Sequence, residues 1–173
     1  MVDGWLFDYL CVERSSGKVF QGTQARGASI GIEAKQTAVQ PVFIQGAVEA
    51  IEVYDVKPPT MLVNTTGSGE ALELGKFKVT WEFTVNLDSG MGIGSAHFVA
   101  ENGDKLDTKS IGQGDPPMTN LNHVYVTEIH TITGGTGRFA GATGCFALER
   151  MVNGTTGATS GWFHGTIVYP KKN

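Results

Sequence analysis

Cysteine is scarce, occurring only as Cys11 and Cys145 in 173 residues, and charged side chains make up just 17% of the chain. Two cysteines cannot staple a fold together; they fit a reduced compartment or, at most, one disulfide. The balance of thirteen basic and seventeen acidic residues gives a formal net charge of −4, and the only basic cluster is Lys171-Lys172. That excludes nucleic acid as a main partner, because binding phosphates asks for a basic face. No apolar run approaches the roughly 18 residues that a spanning helix needs, so no membrane span is expected. The stretch Gly4 to Val12 lacks a basic start and contains Asp8, which does not read as a secretory leader; a cytoplasmic location is expected. Asn64-Thr65-Thr66 and Asn153-Gly154-Thr155 match the glycosylation sequon, and without a leader they read as turn sequences. Long amphipathic patterns with a 3.6-residue period are also missing, which argues against a helical protein.

What the chain has in excess is glycine: 24 of them, without a collagen period and scattered among Thr, Ser, Val and Phe. Short strands joined by tight turns produce such a composition. With 40% hydrophobic residues the chain can bury a core as one domain over residues 1–173. The clearest strand is Phe77 to Leu87. Phe77, Val79, Trp81, Phe83, Val85 and Leu87 alternate with Lys78, Thr80, Glu82, Thr84 and Asn86, so one face is buried and the other wet. After Asp88-Ser89-Gly90 the chain returns through Met91 to Ala100, where Gly92, Gly94 and Ala96 leave room for Trp81 and Phe83. Asn102-Gly103 signals a hairpin. Further strands are read at residues 4–13, 28–34, 42–56, 106–111, 123–133, 145–152 and 160–169, and Pro58-Pro59 ends the strand that begins at Val42. Residues 14–41 and 112–122 read as loops over a barrel mouth. The expected fold is all-β, an antiparallel closed barrel of about eight strands.

The most distinctive segment is Ile132-Thr133-Gly134-Gly135-Thr136-Gly137-Arg138-Phe139-Ala140-Gly141-Ala142-Thr143-Gly144. Its five glycines in eleven residues rule out a helix, since each costs about 1 kcal/mol there. A strand leads in and another leads out, which makes Gly134, Gly135, Gly137, Phe139, Gly141 and Gly144 a structural corner. Gly135-x-Gly137-x-x-Ala140 formally matches a dinucleotide fingerprint, but no helix or βαβ unit surrounds it. The corner resembles the "ITGG-x-G-x-F-x-G-A-x-G" block of allene oxide cyclases and the "GGTGRF" version in dirigent proteins. The segment Ile129 to Gly144 and the hairpin Lys76 to Asp104 most closely resemble small bacterial proteins with the same allene oxide cyclase-like, calycin-type barrel. The resemblance implies an apolar cavity, a homo-oligomer (dimer or trimer) and no cofactor. In allene oxide cyclases an unstable fatty-acid epoxide is cyclised; in dirigent proteins phenolic intermediates are steered. The acidic and amide residues of the plant cyclases match no motif here, although Glu13, Glu33, Gln45 and Glu49 fall in the corresponding region.

Glu128 and His130 are the candidate catalytic residues. They share a strand face with Val124, Val126 and Ile132. If that face lines the barrel, a carboxylate and an imidazole project into an apolar space, where burial shifts carboxylate acidity and the pair can serve as acid and base. If it faces outward, the pair is a solvated or oligomer-contact feature, and His123 with Tyr125 point inward instead. Trp81, Phe83, Val126, Tyr125 and Trp162 are the candidates for lining a cavity. His97, His123, His130 and His164 show no ligand spacing, so no metal is expected. Arg138 reads as a structural cap or ion-pair partner, and Cys145 as a small buried hydrophobe rather than a nucleophile. No nucleophile triad, haem or flavin motif occurs. Two functions fit: a cofactor-independent cyclase or isomerase acting on a lipid-, polyketide- or terpenoid-like molecule, and a non-catalytic barrel that binds a hydrophobic ligand or serves as an assembly module.

Overall fold

The computed structural model describes residues 40–115 and 123–171. Eight strands run in chain order: β1 (Val42–Lys57), β2 (Thr60–Ala71), β3 (Gly75–Asn86), β4 (Met91–Ala100), β5 (Lys105–Gly114), β6 (Val124–Gly135), β7 (Thr143–Val152) and β8 (Ala158–Val168). Each is antiparallel to the next, and β8 pairs back onto β1, with Val42 opposite Ile167 and Ile51 opposite Ala158. The meander thus closes into the expected barrel without a free edge.

Alternation along each strand fills the interior. On β3, Phe77, Val79, Trp81 and Phe83 are buried while Lys78, Thr80, Glu82 and Thr84 are exposed. Strand β2 was not legible in the sequence, because its inward set of Val63, Thr65, Gly67, Gly69 and Ala71 carries little apolar signal. Small residues are required there: a side chain at Gly69 would meet the Ala47 carbonyl and the Phe77 ring. Asn64 of the first sequon lies on the exposed face of this strand rather than in a turn. Asn153 does hold a turn, its side-chain oxygen accepting from the N–H groups of Thr155 and Thr156.

The barrel's ends differ. At one, Phe77, Phe98, Phe146 and Phe163 meet with ring centroids 5.0–6.2 Å apart, in edge-on or tilted arrangements that suit aromatic quadrupoles. The glycine corner closes this end. It turns through a short 3-10 segment, η1 (Gly137–Phe139), which places Phe139 in the core. The Gly135 backbone passes so close to the Lys105 carbonyl that no Cβ fits, and the Thr136 N–H donates to the same carbonyl at 2.8 Å. Arg138 caps the corner as expected, donating to the Leu74 carbonyl at 3.2 Å and lying 3.8 Å from Asp104. The chain after the glycines continues as β7, not as the helix that a dinucleotide site requires.

The mouth lies at the opposite end, under the β1–β2, β3–β4 and β7–β8 turns. The expected mouth loops need correction. Gly112–Gly114 belong to β5, because they continue its pairing with Val126 to Glu128. Gln40 and Pro41 lead into β1 at the corner end. The expected strands at 4–13 and 28–34 and the rest of both loops (14–39 and 116–122) lie outside the described residues. Among the described residues no helix is long and apolar enough to cross a membrane. Cys145 is disulfide-bonded, not a free thiol; the chain's other cysteine, Cys11, is outside the described residues.

Because Phe139 plugs the closed end, Phe139→Ala should destabilise the barrel by about 3–5 kcal/mol, read as a lowered urea midpoint. An unchanged midpoint would show that the corner is not part of the core.

Candidate functional site

The aromatic cluster fills only part of the barrel. Between it and the mouth is a cavity of about 460 Å³. Its walls are Val56, Met61, Val63, Phe83, Val85, Leu87, Val124, Val126 and Val152, with Gly92, Gly112 and Gly114 opening space on the β4–β5 side. Its floor carries Glu52, Tyr54, Glu128 and Arg150. Strand periodicity explains this gathering: these residues continue inward-facing series, as in Val48, Ala50, Glu52, Tyr54 on β1 and Phe146, Leu148, Arg150 on β7.

Arg150 organises the floor. Its Nε donates to Glu128 Oε1 at 2.8 Å, and its Nη2 lies 2.6 Å from the same oxygen. Nη1 donates to Glu52 and, at 3.3 Å, to the Thr159 hydroxyl. The guanidinium carbon sits 5.6 Å from the centre of the Trp81 ring. Glu52 also accepts the Tyr54 hydroxyl at 2.7 Å. Below Glu128, its Oε2 meets His130 Nε2 at 2.9 Å, and His130 Nδ1 meets the Thr108 hydroxyl at 3.0 Å. An ionised carboxylate can only accept, so Nε2 is the protonated nitrogen facing Glu128. The His130 ring stacks on Phe146 at 4.8 Å.

Burial decides how these groups behave. Glu128 is 1% exposed and His130 0%, with Glu52 and Arg150 each at 6%. Burial alone would raise the Glu128 pKa, but the Arg150 charge and the hydrogen bond from His130 outweigh it and hold the carboxyl below its ordinary value of 4.5. Burial likewise opposes the charge on Arg150, and the two carboxylates overcome it and raise its pKa. Burial and the Glu52 contact push the Tyr54 phenol well above its ordinary value, which keeps the hydroxyl protonated as a donor.

Strand β6 therefore turns Glu128, His130 and Val126 inward, and of these Glu128 and Val126 line the cavity while His130 lies beneath it. Phe83 also lines the cavity. Trp81 is buried below, over Arg150. Three of the expected lining residues thus do not line the cavity: Trp81, which is buried beneath it, and Tyr125 and Trp162, which point outward. Tyr125 is 38% exposed, because it has the opposite parity to Glu128 on β6; it donates to Glu149 at 2.7 Å on the outer face. Trp162 is 51% exposed, next to inward Phe163 on β8, and stacks on His164 outside the barrel. His123 is exposed as well. Glu52, Tyr54 and Arg150 were missed by sequence reasoning. Their signal was a charged or polar residue at an inward position of a strand, Glu52 following Val48 and Ala50 and Arg150 following Phe146 and Leu148. Gln45 and Glu49, flagged by region alone, face outward. Among the described residues no group of His, Cys, Asp and Glu could hold a metal ion.

No family model matches the chain, and no curated protein matches it. Among solved structures it is similar to a pterocarpan synthase dirigent protein, with a TM-score of 0.52 and 16% identity over 87% of this chain and 100% of that one. At that identity the likeness establishes the dirigent-like barrel fold, and the chemistry rests on the side chains above.

Because the folded Glu128 pKa lies below its unfolded value, the carboxylate's contribution to stability is complete above about pH 4.5 and falls away as the pH drops through the lower folded value. Urea midpoints should be flat from pH 7 to 5 and then decline, and Glu128→Gln should flatten part of that decline. Removing the carboxyl outright, as in Glu128→Ala, should cost about 3–5 kcal/mol at pH 7 by stranding Arg150. A loss under about 1 kcal/mol, within the range of exposed pairs, would contradict the buried network.

Proposed function

We propose that this barrel binds a hydrophobic small molecule in the mouth cavity and acts on it as a cofactor-independent cyclase or isomerase. The observation that carries this reading is a cavity of about 460 Å³ with aliphatic walls and a floor of buried ionisable groups. Apolar walls hold a flexible molecule in few conformations, which lowers the entropic barrier to ring closure. The same walls exclude bulk water from the floor.

The roles divide by position. Glu52 borders the cavity and is the group that carries a proton between two atoms of one bound molecule, so nothing is oxidised or reduced and no co-reactant is consumed. Tyr54, whose hydroxyl lies 2.7 Å from Glu52, fixes that carboxylate from the mouth side. Glu128 borders the cavity too and is the second candidate for contact with the ligand. His130 touches no cavity surface and is a positioning residue, holding Glu128 from below. A barrel of this fold that serves a synthase, the pterocarpan synthase dirigent protein, is in keeping with the proposal. The second reading, a non-catalytic binder, draws on a different fact: Arg150 and its carboxylates already satisfy one another without a ligand.

Native mass spectrometry of freshly purified protein, followed by denaturing extraction and small-molecule analysis, tests the proposal. The expected result is a dimer or trimer carrying an apolar molecule. At a saturating concentration of that molecule, Glu52→Gln should slow its conversion by about 10²–10⁴-fold. Unchanged conversion in Glu52→Gln would sink the enzyme reading and favour the binder. An empty protein that also fails to take up the neutral dye Nile red would sink both.

A further inference from the structure

The charges around the cavity favour one class of ligand, and this step rests on the proposed binding role. Among the described lining residues, Glu52, Asp88 and Glu128 are acidic and Arg150 is the only base. Arg150 is not available to an incoming anion. Its Nε and Nη2 are taken by Glu128, and its Nη1 by Glu52 and Thr159. The Tyr54 hydroxyl is likewise committed to Glu52. Facing the cavity, the floor therefore offers acceptor oxygens and two carboxylates against one guanidinium but little donor capacity, with His130 held beneath Glu128 and away from the cavity surface. A carboxylate-headed molecule entering head first would meet two buried carboxylates with no free cation to offset them, and like charges in a low-dielectric site repel strongly. A positive head meets the reverse: two carboxylates at the floor, the aromatic side chains of Tyr54 and Phe83 in the lining, and Asp88 at the rim to draw it in. The aliphatic walls take up the rest of the molecule.

We infer that the cavity is selective for lipophilic ammonium compounds, with the positive nitrogen at the Glu52–Glu128 floor and the apolar body toward the mouth. Fatty acids and other carboxylate-headed lipids are excluded from that orientation.

Isothermal titration of the full chain at pH 7 with decylamine, decanol and decanoate tests this, since the three share an alkyl tail and differ in head charge. The amine should bind at least tenfold more tightly than the alcohol, and decanoate most weakly. Glu52→Gln should bring the amine close to the alcohol without weakening the alcohol. Asp88→Asn, which leaves the buried network intact, should weaken the amine two- to threefold and serves should Glu52→Gln fail to fold. Val126→Trp, which fills the cavity from β6, should abolish binding of all three. Decanoate binding as tightly as decylamine would overturn the inference, as would amine binding that survives Val126→Trp, a sign of surface adsorption. Decanol binding without amine preference would overturn this inference alone. Binding by none of the three would overturn both the inference and the binding role on which it rests.

Discussion

A single buried guanidinium shared by two carboxylates governs this barrel. Arg150 on β7 reaches Glu128 on β6 and Glu52 on β1, the latter 98 residues away in sequence. Removing such ions from water costs several kcal/mol apiece, and only close pairing offsets it. The pairing spans the seam where β8 meets β1 and adds Thr159 from β8. The charges are therefore satisfied only when the first and last strands have closed, which ties the functional floor to closure of the barrel. Such a network is weak evidence for net stability, since well-packed apolar side chains could replace it. Under the proposed function, its place at the base of the cavity follows from what it would present to a ligand.

The rest of the interior divides around that layer. Toward the glycine corner, aromatic rings fill the barrel, with centroids 5.0–6.2 Å apart. Toward the mouth, glycines on β4 and β5 withhold side chains and leave space. Gly112 shows how closely the two demands are joined. It sits directly opposite Glu128 on β6, and a Cβ there would come within 2.9 Å of Glu128 Cγ. The missing side chain both enlarges the cavity and admits the Glu128 carboxylate to its position.

Much of the architecture was legible because strand alternation is a local signal. The run from Phe77 to Leu87 fixed a half-buried strand, and the corner from Gly134 to Gly144 fixed a tight connection, whatever surrounded them. Strand β2 was hidden because beyond Val63 its inward face is Thr, Gly and Ala, where the glycines fit against the neighbouring Ala47, Ala50 and Phe77. Periodicity also put Glu128 and His130 on one face, yet could not say which face was inside. That depended on barrel closure, a non-local fact. The same limit explains Tyr125 and Trp162, large aromatics that composition favours for a core and parity sends outside. Arg150 shares the inward parity of Phe146 and Leu148, but a buried arginine becomes intelligible only once its partners are known, and those lie on β6 and β1.

The charged floor depends on the coupling between Arg150 and its carboxylates, and a double-mutant cycle measures it directly. Arg150→Met, Glu128→Gln and the double variant would be compared by urea unfolding at pH 7. Coupling toward the upper end of the range of about 0.5–3 kcal/mol seen for residues in one network is predicted, with the double variant more stable than Arg150→Met alone because it no longer buries an unpaired Glu128 charge. Additive effects within about 0.3–0.5 kcal/mol would show that the two side chains do not share a buried ion pair, and the charged floor on which the functional reading rests would be lost.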